Sequence, residues 1–209
     1  MPPVRAIAIW GALALAIVVP IAAAMASPLL AWRQPIYIAA GFAGIISLGL
    51  LLVQPLLISG TLPGLSPFQR RRVHRWVGGI LVLAVVVHVA GLWITSPPDV
   101  IDALLFRAPT SFSAWGVVAM WGVFVTALWA IFRRRLLVRQ RIWRAGHISL
   151  ALVIVIGTVA HAMLIEGTME MVSTEPVDSW LTKLRIVPHS VCTAETLAAP
   201  VEATATSCV

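Results

Sequence analysis

The chain has 209 residues, 60% of them hydrophobic and 11% charged, with a mean hydropathy of +0.96 and a formal net charge of +7. This composition lies well outside that of soluble domains and assigns the chain to a lipid bilayer. A nucleic-acid partner is excluded as the reason for the positive charge, because the basic residues gather at the ends of apolar runs, where they report orientation.

Five runs approach the roughly 20 apolar residues that a bilayer core demands of a helix: 6–26, 36–59, 76–95, 113–132 and 146–165. The first follows Arg5 and ends in the small residues AAAMAS, so it also fits a cleaved signal peptide; a retained helix is the preferred reading. If the runs alternate across the membrane, Arg5, the group Arg70, Arg71, Arg72 and Arg75, and the group Arg133, Arg134, Arg135, Arg139, Arg141 and Arg144 share one side. Arg33, Arg107, Lys183 and Arg185 share the other with all eight acidic residues. The positive-inside rule makes the Arg-rich side cytoplasmic, with the N-terminus in and the C-terminus out. Trp76 and Trp143 then mark the inner interface, Trp93 and Trp115 the outer one. The expected architecture is an all-α integral membrane protein, in a bacterial inner membrane. A bundle of five transmembrane helices occupies residues 1–167, and a polar, loosely ordered extracytoplasmic tail occupies 168–209. The two cysteines, Cys192 and Cys208, both lie in that tail and are read equally as a disulfide or as free thiols.

The third run contains HRWVGGILVLAVVVH, residues 74–88, and the fifth contains HISLALVIVIGTVAH, residues 147–161. Each carries histidines fourteen residues apart, close to four helical turns, so both rings of a pair fall on one face about 21 Å apart along the axis. With one run between them the two spans are parallel, which sets His74 level with His147 and His88 level with His161. Two facing imidazoles at one depth suit axial ligation of a single haem iron, and the arrangement occurs twice. Two b-type haems are therefore expected, the inner on His74 and His147, the outer on His88 and His161. Four residues inward from each histidine stand Gly78, Ala84, Ala151 and Gly157, small enough to leave clearance for a porphyrin, although small residues at that spacing also serve close helix packing. Ionisable residues are costly in lipid, and two matching pairs are harder to attribute to packing than one would be. A zinc or proton-relay site is the competing use, but each level offers two nitrogens and no span carries a carboxylate or cysteine to complete a zinc shell. His189, beside Pro188, is read as a surface residue.

These spans, with an RRxHRWxG entry at Arg71–Gly78 and a WRxxH entry at Trp143–His147, resemble the ferric reductase-like transmembrane domain over about residues 36–166. That family includes ferric-chelate reductases, NADPH oxidases and the haem subunit of the periplasmic methionine sulfoxide reductase system. The resemblance implies single-electron transfer outward, from a cytoplasmic flavin reductase or a membrane quinol to an extracytoplasmic redox partner or acceptor. Two departures stand out. No Gly-rich nucleotide loop follows a strand, so no flavin or nicotinamide site is expected in this chain, and the sixth helix usual in the family has no counterpart among the five spans.

Arg72, Arg75 and Arg144 sit where the propionates of the inner haem would emerge; they are candidate contacts to them, or serve topology alone. Asp99, Asp102 and Glu166 lie near the outer end and receive no role. Function divides between a haem-bearing electron-transfer subunit without its own substrate pocket and a reductase acting on ferric chelates, oxygen or a quinone at the outer haem. A haem-free transporter or structural membrane protein is the weaker third reading.

Overall fold

A computed structural model describes residues 3–133, 135, 137 and 139–165. The expectations for the tail, with His189, Cys192, Cys208 and Glu166, lie outside the described residues, as does Arg134. Among the described residues every regular element is helical: α1 (Pro3–Met25), α2 (Pro35–Ser59), α3 (Pro67–Thr95), α4 (Pro97–Leu104), α5 (Ser111–Phe132) and α6 (Gln140–Leu164), with a single 3₁₀ turn at Pro28–Trp32. All but α4 are long and apolar enough to cross a membrane, and the chain is a multi-pass, all-α membrane protein.

Proline at the first helical position starts α2, α3 and α4, where its missing N–H costs nothing. The start of α3 is fixed further by a capping box: the Ser66 hydroxyl accepts from the Gln69 amide at 3.3 Å, and the Ser66 amide donates to Gln69 Oε1 at 2.8 Å. α2 ends at Gly60, whose φ of 76° is open to glycine without strain. The cap places the start of α3 at Pro67, nine residues before the apolar run, so Arg70, Arg71, Arg72 and Arg75 are helical and His74 lies two turns inside the helix. α4 had no apolar run to announce it. It is an eight-residue helix between the C-terminal end of α3 and the N-terminal end of α5 that carries Asp99 and Asp102, both exposed.

The helices pack as two antiparallel pairs, α2 with α3 and α5 with α6, each formed by neighbours in sequence. Small residues set the closest approaches. A Cβ at Gly91 of α3 would come within 2.7 Å of Ala40 Cβ, and one at Gly122 of α5 within 2.8 Å of Ile154. Without a hydrophobic drive between helices in lipid, such backbone proximity and the dispersion it permits hold the pairs together. α1 leans on α2 through Leu13, Leu57 and Leu62, with Ile9, Val53, Val73 and Val77 packed around them. α3 and α6, which carry the four histidines, are not close-packed backbone to backbone; α4 and a limited α3–α5 contact join the pairs.

Candidate functional site: two levels of paired histidines

At the inner level the rings of His74 and His147 reach across this α3–α6 space, their centres 6.3 Å apart and their planes at 77°. His147 is backed by Trp143, one turn earlier on α6, stacked at 5.2 Å with planes 19° apart. The Arg133 guanidinium lies 5.1 Å over the Trp143 ring and donates to Gln140 Oε1 at 3.0 Å, so the stack reaches the end of α5. Trp129 meets the edge of Trp143 at 6.0 Å, over Gly146, where any side chain would strike the Trp129 ring.

The outer histidines are held differently. His88 Nδ1 is 2.7 Å from the Ala40 carbonyl of α2, and His161 Nδ1 is 2.8 Å from the Phe112 carbonyl of α5. A carbonyl only accepts, so in both rings Nδ1 carries the proton, and the neutral form of each ring then has its lone pair on Nε2. That is the state of an imidazole ready to bind a metal through Nε2, with its second nitrogen anchored. Both helical carbonyls are reachable because the residue one turn later is glycine. A Cβ at Gly44 would sit 3.0 Å from the His88 ring, and one at Gly116 would sit 2.7 Å from His161 Nδ1. Each histidine helix is thus braced by the helix preceding it: α2 supplies Ala40 and Gly44, α5 supplies Phe112 and Gly116.

The small residues expected to leave clearance divide. A Cβ at Gly78 would lie 3.1 Å from Gln54 Nε2 of α2, and Gly157 is buried against the Trp115 carbonyl and Ala119 of α5, so both positions serve approach to the bracing helix. Ala84 and Ala151 are partly buried. Arg72, Arg75 and Arg144 are exposed in the N-terminal turns of α3 and α6. Among the described residues no three His, Cys, Asp or Glu side chains converge on one point, so the inner pair offers two imidazoles without a third such side chain beside them.

Ala40, Gly44, Phe112 and Gly116 were not singled out from the sequence. A backbone carbonyl carries no residue signature, but its access does: AxxxG in α2 and FxxxG in α5 stand at equivalent places in the helices preceding the two histidine spans. Gln54 and Thr126, polar residues in the same two apolar helices, were also passed over. Comparison of the chain with family models, with curated proteins and with solved structures finds no match to any of them.

Proposed function

We propose that the protein is a di-haem b-type membrane cytochrome that carries electrons across the bilayer, in a bacterial inner membrane. The donor would be a cytoplasmic flavin or a membrane quinol, and the recipient an extracytoplasmic acceptor or partner reductase. The observation that carries this reading is the inner imidazole pair. Two opposed imidazoles bound to one metal at about 2 Å each have ring centres roughly 6 Å apart, and His74 and His147 stand at 6.3 Å. His74 and His147 would hold the inner haem, His88 and His161 the outer. The donor set supports haem over zinc, since axial ligation needs two nitrogens whereas a structural zinc shell needs four ligands and a catalytic one three.

When bound, the haems supply a one-electron iron couple whose potential follows the axial ligands, the hydrogen bonds made to them and their burial. The chain's own residues perform the rest. The Ala40 and Phe112 carbonyls fix the outer imidazoles in the Nδ1–H tautomer, and Gly44 and Gly116 make room for the rings. Trp143 holds the plane of His147. The arginine-rich cytoplasmic ends of α3 and α6 offer a positive face to a negatively charged flavin or to propionates, with Arg72, Arg75 and Arg144 the residues concerned. The resemblance to ferric reductase-like membrane domains agrees with this reading and adds the outward direction of transfer.

An optical spectrum of the purified protein with and without dithionite is the test. Absence of low-spin b-type Soret and alpha bands after expression with adequate haem would sink the proposal. His88→Ala should lower the haem content from two to one per chain. Turnover of a ferric chelate by the isolated protein would shift the reading from relay subunit to reductase.

A further inference from the structure

Four buried side-chain atoms among the described residues lack a hydrogen-bond partner: His74 Nδ1, His147 Nδ1, Gln54 Oε1 and Thr126 Oγ1. A buried unsatisfied polar atom is costly and uncommon, so four at one depth call for a shared explanation. The packing register supplies it. His88 bonds to Ala40; fourteen residues along each antiparallel helix, His74 comes level with Gln54, and Gln54 Nε2 already lies 3.4 Å from the His74 carbonyl. His161 bonds to Phe112, and the same step brings His147 level with Thr126. Contacts of Gly122 with Ile154 and of Trp129 with Gly146 bracket that position.

The inner level therefore repeats the outer one, with one substitution in kind. Where the outer carbonyls are opened by Gly44 and Gly116 one turn on, the residues one turn after Gln54 and Thr126 are Ile58 and Ala130. Neither is the glycine that opens the outer carbonyls, and a polar side chain stands at each inner position instead. We propose that Gln54 Oε1 and Thr126 Oγ1 are the acceptors for His74 Nδ1–H and His147 Nδ1–H, two positioning residues that fix the inner imidazoles in the tautomer that presents Nε2 across the α3–α6 space. Two bonds then satisfy all four atoms. The inference rests on the two-haem reading for its consequence: an imidazole whose N–H is held by an acceptor is a stronger donor and favours ferric iron. Backbone carbonyls set that strength at the outer level, and mutable side chains set it at the inner one.

The experiment uses the full-length protein in detergent with Gln54→Leu, Thr126→Val and the acceptor-retaining variants Gln54→Glu and Thr126→Ser. ¹⁵N-histidine NMR on protein with and without haem reads the tautomer directly, and redox titration reads the two haem midpoints. The expected result is that Gln54→Leu and Thr126→Val release the Nδ1–H tautomer of His74 and His147 respectively. They raise one midpoint or weaken that haem by about ten- to a hundredfold. The outer haem keeps its midpoint, and the Glu and Ser variants retain the wild-type tautomers. Unchanged tautomers in both apolar variants of the haem-free protein overturn the inference; wild-type protein that takes up no haem defeats the two-haem reading instead, and the NMR still decides the acceptors. If Gln54→Leu fails to accumulate, Thr126→Val and Gln54→Glu carry the decision in the same terms.

Discussion

Gly116→Ala isolates the bracing of His161 by α5. The added Cβ would stand 2.7 Å from Nδ1, 2.8 Å from Cε1 and 3.3 Å from Cγ of His161, all against the ring and none against a flexible chain end. Restoring an ordinary contact moves the ring by about 0.7 Å. The escape route leads away from α5, and the bond from Nδ1–H to the Phe112 carbonyl, 2.8 Å at rest, stretches toward the limit of hydrogen bonding. Loss of one such bond costs about 1 kcal/mol directly. The larger effect falls on the ligand, because an imidazole without its second anchor binds a metal roughly ten- to a hundredfold more weakly. Gly44→Ala is the internal control: its Cβ would meet the His88 ring at 3.0 Å, a milder overlap that a small tilt relieves. Haem content per chain, from the pyridine haemochrome, together with retention during dilution, should fall to one haem for Gly116→Ala and fall less for Gly44→Ala. Two firmly held haems with wild-type spectra in Gly116→Ala, or the reverse ranking of the two glycines, would refute the reasoning.

His74→Ala and His147→Ala should remove the same haem and His88→Ala and His161→Ala the other; spectra that sort the four variants into different pairs would break the two-level pairing. Trp143→Leu removes the stack on His147 and the seat of the Arg133 guanidinium, and should weaken the inner haem while Trp143→Phe largely preserves it, as judged by haem retention. Gly122→Val drives a branched side chain into Ile154 and should lower thermal stability in detergent by an amount typical of overpacking, about 1–3 kcal/mol. Ser66→Ala deletes half of the capping box on α3 and should cost about 1 kcal/mol by the same melting assay, without altering haem content.

The long-range pattern was legible because lipid enforces it. A spanning helix needs a long apolar run, and α1, α2 and α5 lie within three residues of the runs read from the sequence, while α6 begins six residues earlier than its run. The spacing of His74 from His88 and of His147 from His161 was equally open, since helical rise converts sequence distance into depth. What escaped was decided by single contacts. α4 is too short to show a period, and the early start of α3 depends on Ser66 and Gln69, polar residues that a hydropathy run ignores. The stripe of Gly78 and Gly157 was ambiguous because small residues serve clearance and close approach alike; only the positions of Gln54 and Ala119 show which helix each glycine faces.

That each histidine helix is braced by the helix just before it bears on how the site forms. α2 with α3 and α5 with α6 are hairpins of sequence neighbours, whose contacts are local and whose ligand-orienting bonds, His88 to Ala40 and His161 to Phe112, lie wholly within one hairpin. Each half can orient its own imidazoles before the other is present. Beside the limited α3–α5 contact, the meeting of His74 with His147 crosses between the hairpins, at a place where α3 and α6 make little backbone contact. On the proposed reading, a ligand bound by one residue from each hairpin would be the chief tie between them, and would stabilise the assembled bundle by mass action. Haem-free protein should therefore melt at lower temperature, with the hairpins separating before their helices unwind. Cross-linking between a cysteine on α3 and one at the same depth on α6, both away from the histidine stripes, should fall on haem removal, while a cross-link within a hairpin persists. Equal loss of both, or of neither, would show that the hairpins are joined by some other contact.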